Sequence, residues 1–142
     1  MTTGTDERPA GITALSFFFL FGVAAGFVAL VSLCFPDSFL RHAWRLNPRG
    51  HDAFTGMGAW AFLLLGPVCA ACLAAAVGLR RGARWGHRLA VTLLAVNLAG
   101  DLINVLLGVE PRAAFGLPVA AFILAYLLTE RVRSFFSKTE RA

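Results

Sequence analysis

The stretch ITALSFFFLFGVAAGFVALVSLCF, residues 12–35, contains 24 residues without a charged side chain. A helix rises about 1.5 Å per residue, so about 20 apolar residues are enough to cross the hydrocarbon core of a bilayer. A signal peptide has a shorter apolar core of about 7 to 15 residues. The stretch therefore predicts a membrane-spanning helix, preceded by a flexible polar tail over residues 1–10.

Three further apolar runs follow in the chain. The last contains two prolines, and a start at Pro118 would leave too few residues to cross the bilayer. Pro111 suits the first turn of a helix, so the last span is predicted to begin there, with a re-entrant segment at 113–117 as the alternative. The predicted spans are 12–35, 53–79, 89–107 and 111–128, followed by a basic tail at 129–142.

The composition of the chain also indicates a membrane protein. Of the 142 residues, 58% are hydrophobic and 15% are charged, with a mean hydropathy of +0.70. Soluble domains are about 45 to 50% apolar and about 25% charged. We therefore predict an all-α integral membrane four-helix bundle in contact with the lipid bilayer. The basic residues lie between apolar runs, which argues against a nucleic-acid partner.

The distribution of Lys and Arg predicts the orientation. Cytoplasmic loops carry an excess of these residues. Nine of the thirteen lie on the side of the two termini and the 80–88 loop, and four lie on the other side. Both termini are therefore predicted to be cytoplasmic.

The 36–52 loop on the outer side has an amphipathic pattern. On a helical wheel its apolar side chains lie opposite its basic ones. The pattern predicts a short helix that lies in the membrane interface or packs on the bundle. The apolar arc contains Phe39, Leu40, Ala43, Trp44 and Leu46, and the basic arc contains Arg41, His42 and Arg45.

The third span carries the polar residues of greatest interest. Asn97, Asp101 and Asn104 lie within about 60° of one another on a helix and form one polar stripe. An Asp inside a span costs about 2.5 to 3.5 kcal/mol to insert and normally faces the bundle interior. The stripe has two possible roles. It either forms hydrogen bonds between helices or provides a site for an ion, a proton or a ligand. Candidate counter-charges to Asp101 are Arg112, Arg45 and Arg49.

Small residues recur at helix-packing spacing in the first two spans. Gly22 and Gly26 form a G-x-x-x-G, and a second seam repeats every fourth residue in the second span. Cys69 and Cys72 lie there as C-A-A-C, a spacing that occurs in redox motifs. An apolar setting leaves cysteine unreactive, so we expect both residues to pack as small buried side chains. The second seam consists of Gly66, Ala70, Ala74 and Gly78.

No metal site is predicted, and the sequence leaves the cofactor unknown. His42, His51 and His87 are isolated from other ligand residues. A single His can bind haem, but His51 and His87 begin spans at opposite faces of the membrane. The chain also lacks nucleotide-binding and hydrolase motifs.

The segment RWGHRLAVTLLAVNLAGDLIN, residues 84–104, is followed by FGLPVA and a basic VRSFF. With these motifs the chain resembles a group of small bacterial four-span membrane proteins without an assigned function. The resemblance implies a prokaryotic inner-membrane bundle and no particular activity. The leading hypothesis is a non-enzymatic protein that self-associates or is an accessory subunit of a membrane complex. The alternatives are a small channel or transporter that uses Asp101, and a membrane enzyme.

Overall fold

The computed structural model describes residues 9–108 and 113–139, and every regular element in these residues is helical. This confirms the predicted all-α class. The elements are α1 (Ala10–Cys34), a 3-10 helix (Phe39–Leu46), α2 (Pro48–Met57), α3 (Ala59–Arg80), α4 (Arg84–Leu106), α5 (Ala113–Leu128) and α6 (Glu130–Thr139).

Three of these helices, α1, α3 and α4, are long and apolar enough to cross a membrane. Helix α5 has 16 residues, which gives it a length of about 24 Å. Together α5 and α6 form a fourth candidate, a pair bent by 51°. The chain therefore has three to four helices that could span a membrane.

The predicted span at 53–79 differs from the structure, in which it is divided at Gly58. This glycine has a φ of 57° and a ψ of −127°, a conformation that other residues rarely adopt. The helical run therefore ends with α2 and restarts as α3 at Ala59. Asn47 and Pro48 begin α2, because the Asn47 Oδ1 atom accepts a hydrogen bond from the Gly50 N–H at 2.9 Å.

The amphipathic segment after α1 forms the 3-10 helix and packs on the end of α1. Trp44 Nε1 donates to the Ser32 Oγ atom at 2.6 Å, and Ser32 Oγ donates to the Ala29 carbonyl at 2.8 Å. The Trp44 ring also lies 5.3 Å from the ring of His51. Packing on the helices, one of the two predicted placements, is therefore present in the structure.

The predicted basic tail at 129–142 contains helix α6. Val132 and Phe136, which are four residues apart, lie on one face of this helix and are buried against α4 and α5. The exposed side of α6 carries Arg131 and Arg133. This amphipathic pattern explains why the segment folds back onto the bundle even though its sequence is polar overall.

Helices α1, α3, α4 and α5 pack in that order, and each neighbouring pair is antiparallel. One end of the molecule holds the start of α1, the turn at 81–83 and the bend between α5 and α6. We call this the basic end, because the arginines of 80–88 and 131–133 lie there. The 3-10 helix and α2 lie at the opposite end.

The continuous hydrophobic core lies at the basic end. It is built from the first half of α1, the last turns of α3, the first half of α4, the end of α5 and α6. Towards the opposite end most side chains of the long helices are exposed. The core residues are Ile12, Leu15, Phe19, Ala75, Ala76, Leu79, Ala90, Leu94, Leu127, Val132 and Phe136.

The predicted G-x-x-x-G of the first span packs within the chain. A Cβ atom at Gly26 would collide with the Cys69 sulfur, and one at Gly22 would lie 3.9 Å from the Cys72 sulfur. The missing side chains thus leave room for two thiols of α3. Ser16 adds a buried hydrogen bond from its Oγ to the Ala76 carbonyl, 3.0 Å long.

In the second predicted seam, two of the four residues have no close neighbour or are exposed. Gly66 has nothing within 4 Å of a built Cβ, and Ala70 is exposed. Only Gly78 makes a close backbone contact, with Gly86 of α4. The sequence cannot identify the packed face of α3, because its alanines and cysteines are equally able to lie at a close interface.

Two glycine substitutions in α4 test this packing. A Cβ at Gly86 would meet the backbone of Gly78, which cannot move aside as a side chain can. We expect Gly86→Ala to destabilise the fold by about 1 to 3 kcal/mol. Thermal unfolding in mild detergent measures the effect.

Gly100→Ala is the matched control, because a Cβ there enters open space. Alanine also has the higher helix propensity, so this variant should be as stable as the parent or more so. Equal stability of the two variants would contradict the Gly78–Gly86 contact.

Candidate functional site

The polar stripe of α4 lies on the face that forms the core at the basic end. At about 100° per residue, Asn97 and Asp101 project on the same side as the buried Ala90 and Leu94. The stripe therefore faces the same side of α4 as the core. The helices do not close over it, however, because the core ends near Leu94.

Asn97 and Asp101 form a hydrogen-bonded pair. The Asn97 Nδ2 atom donates to the Asp101 Oδ2 atom at 3.0 Å, across one turn of α4. Asp101 is half-buried, whereas Asn97 and Asn104 are exposed. The structure thus brings two of the three predicted residues into contact, and Asn104 lies one turn beyond them towards the end of the helix.

Helix α5 approaches the carboxylate of Asp101 at Gly116. A Cβ built on Gly116 would lie 3.5 Å from Asp101 Oδ2, so the carboxylate rests close to the backbone of α5. A side chain at position 116 would be in van der Waals contact with the Asp101 oxygen, and glycine leaves that side of the carboxylate free of one.

The structure brings none of the described counter-charge candidates to Asp101. Arg45 lies on the 3-10 helix and Arg49 on α2, and Asp101 forms an ion pair with neither of them. Arg112 lies outside the described residues. Within the described part of the chain, Asp101 accepts a hydrogen bond from the amide of Asn97.

A cavity of about 320 Å³ opens beside this pair, between α1, α3 and α4. Asn97 supplies a polar group to a lining that is otherwise apolar apart from the thiol of Cys72. The remaining lining residues are Phe18, Phe19, Phe21, Gly22, Val68, Leu93 and Leu94.

The C-A-A-C cysteines are free thiols, and they are half-buried at the interface with α1. Their sulfurs lie against Gly26 and Gly22, where they fill the space between two helices. This arrangement uses the cysteines as packing residues. Within residues 9–108 and 113–139 no group of three His, Cys, Asp or Glu residues could hold a metal ion.

His87 has a role that sequence reasoning missed. Its Nε2 atom donates to the carbonyl of Leu127 at 2.8 Å, where regular helical bonding is interrupted at the bend after α5. Arg84 similarly donates to the carbonyl of Ser137 at 3.2 Å. The available signal was the polar sequence after Leu128, which ends the apolar run and leaves helix-terminal carbonyls to be bonded.

The fold and the site together define a helical protein with three to four segments able to span a membrane and an Asn–Asp pair inside one of them. Comparisons with protein-family profiles, with curated proteins and with solved structures found no match.

Two substitutions separate the hydrogen bond of Asp101 from its charge. Asp101→Asn keeps an oxygen that accepts from Asn97, so we expect stability close to that of the parent. Asp101→Leu removes the acceptor and should cost about 0.6 to 2 kcal/mol. Thermal unfolding in detergent gives both values.

Thr92→Leu is the control, because Thr92 is exposed and lies nine residues before Asp101, on the opposite face of α4. It should leave stability unchanged. Asp101→Asn should be less destabilised than Asp101→Leu if the hydrogen bond, and not the charge of Asp101, stabilises the pair. Equal destabilisation of the two variants would contradict this interpretation.

Proposed function

We propose that this chain is a non-enzymatic bacterial inner-membrane protein with four spans and both termini in the cytoplasm. It acts by assembling with other membrane chains, first with copies of itself and otherwise as an accessory subunit of a larger complex. The distribution of nine basic residues against four supports the orientation.

The observation that carries this proposal is the exposure of Asn97 in the middle of α4. Asn97 lies nine residues from the end of the helix, or about 14 Å along its axis. Lipid offers no hydrogen bond to an exposed amide at that depth. A polar side chain from another helix supplies one, as Asn and Ser residues do in membrane helix interfaces.

The side chains next to the stripe suit such an interface. Val96, Ile103 and Leu107 are exposed and lie along one side of it. A Cβ at Gly100, which lies among them, would have nothing within 4 Å, so this surface is shallow enough for the backbone of another helix. An apolar strip beside amide groups combines close packing with hydrogen bonding.

A small channel or transporter is the second candidate. The specific observation that favours it is the position of Asn97, which lines the cavity of about 320 Å³ and also bonds to the half-buried Asp101. Intramembrane carboxylates beside a cavity are typical of ion and proton pathways. In this hypothesis water, rather than another helix, fills the space beside the stripe.

Self-association in bilayers tests the leading proposal. Copies labelled with donor and acceptor dyes are diluted into vesicles, and energy transfer is followed against protein-to-lipid ratio. We expect reversible association that Asn97→Leu weakens by about 3- to 30-fold, the factor that corresponds to a loss of about 0.6 to 2 kcal/mol. Thr92→Leu, on the opposite face of α4, should not weaken it.

A proton or ion flux measurement on the same vesicles separates the two candidates. A protein that remains monomeric and conducts, with conduction abolished by Asp101→Asn, would contradict assembly as the function and support the transporter. Association of the Asn97→Leu variant at full strength would exclude the polar stripe as the interface.

A further inference from the structure

Trp44 separates two cavities of different character at the opposite end of the molecule. One is a groove of about 380 Å³ between α1 and the 3-10 helix. The other is a cleft of about 470 Å³ between the 3-10 helix and α2. Trp44 lines both, so the two cavities lie side by side across one indole ring.

The groove is suited to a hydrocarbon chain. Its floor is made of small residues of α1, including Ala25 and Ala29, and its rim includes Leu46. Ser32 also lines it, but the Ser32 hydroxyl already accepts from Trp44 and donates to the Ala29 carbonyl. A satisfied hydroxyl and methyl-lined walls offer little to a polar ligand and favour an apolar one.

The cleft is suited to an anion. Arg41 and Arg45 line it with exposed guanidinium groups, and neither has a carboxylate partner among the described residues. The one carboxylate in the lining, Asp52, lies 3.6 Å from the Nδ1 atom of His51. Guanidinium groups bind phosphate oxygens in a bidentate geometry, so a phosphate monoanion matches this lining.

We propose that the two cavities together form a binding site for one anionic phospholipid. An acyl chain occupies the groove along α1, and the phosphate headgroup lies in the cleft between Arg41 and Arg45. The Trp44 indole lies where the chain meets the headgroup, the position that tryptophan favours at membrane interfaces. This inference rests on the proposed membrane location but does not depend on assembly.

The charge complementarity of the cleft selects the lipid class. A zwitterionic lipid brings a choline or ethanolamine cation towards Arg41 and Arg45, which opposes its phosphate. An anionic headgroup lacks that repulsion. Each arginine near a membrane surface contributes about fivefold to the affinity for anionic lipid, and two together contribute about 30-fold.

Quenching of Trp44 fluorescence by brominated lipid tests the site. Trp60→Phe and Trp85→Phe leave Trp44 as the sole tryptophan of the chain. The protein is placed in phosphatidylcholine vesicles with a minor fraction of either brominated phosphatidylglycerol or brominated phosphatidylcholine. We expect stronger quenching by the anionic lipid at equal mole fraction. Equal quenching by the two lipids would overturn the proposal.

Matched variants show which residues cause the preference for anionic lipid. Arg41→Gln with Arg45→Gln should lower it about 30-fold, whereas Arg81→Gln with Arg88→Gln, two exposed arginines at the basic end, should not change it. Ala25→Phe fills the groove and should reduce quenching, and Ala70→Phe, on an exposed face of α3, should not. The reverse result in either pair would overturn the proposed location. Thermal unfolding verifies that each variant is folded.

Two further measurements distinguish a lipid from a free phosphate and separate this site from the proposed assembly. Soluble glycerol phosphate should not displace the brominated phosphatidylglycerol, and displacement would indicate a site for free phosphate and overturn the lipid assignment. Energy transfer between labelled copies is recorded on the same vesicles. A monomeric protein that keeps the anionic preference would contradict assembly while supporting this site.

Discussion

The backbone contact between Gly78 and Gly86 is the constraint on which the other contacts at the basic end depend. It brings the end of α3 against the start of α4 directly after a three-residue turn. At this separation Leu79, Ala90 and Leu94 meet in one core, and His87 reaches the carbonyl of Leu127. A side chain at either glycine would push the two helices apart and weaken each of these contacts.

The same contact explains why the two ends of the molecule differ. Where α3 and α4 touch, α6 adds Val132 and Phe136 and closes the core. Further along α4 the inner face carries Asn97 and Asp101 in place of apolar residues, and the helices leave that face partly exposed. The basic end is thus a conventional packed core, whereas the opposite half contains exposed polar groups and cavities.

Sequence patterns predicted the long apolar helices and the Asn–Asp stripe because both depend on local periodicity. A run of 24 uncharged residues or three polar residues on one face can be read directly from the chain. The break at Gly58 and the packed face of α3 depend on tertiary contacts. Small residues lie on several faces of α3, so the sequence does not indicate which face packs. Helix α6 left only a weak signal, the spacing of Val132 and Phe136.

The proposed orientation, which is the central claim, places the basic end in the cytoplasm and the 3-10 helix and α2 on the outside. Single cysteines at Ser134 on α6 and Thr55 on α2, both exposed, report the two ends in a chain whose native cysteines are replaced by alanine. Intact cells are treated with a membrane-impermeant thiol reagent. The account predicts labelling at Thr55→Cys in intact cells and at Ser134→Cys only after lysis, and labelling of Ser134→Cys in intact cells would contradict it.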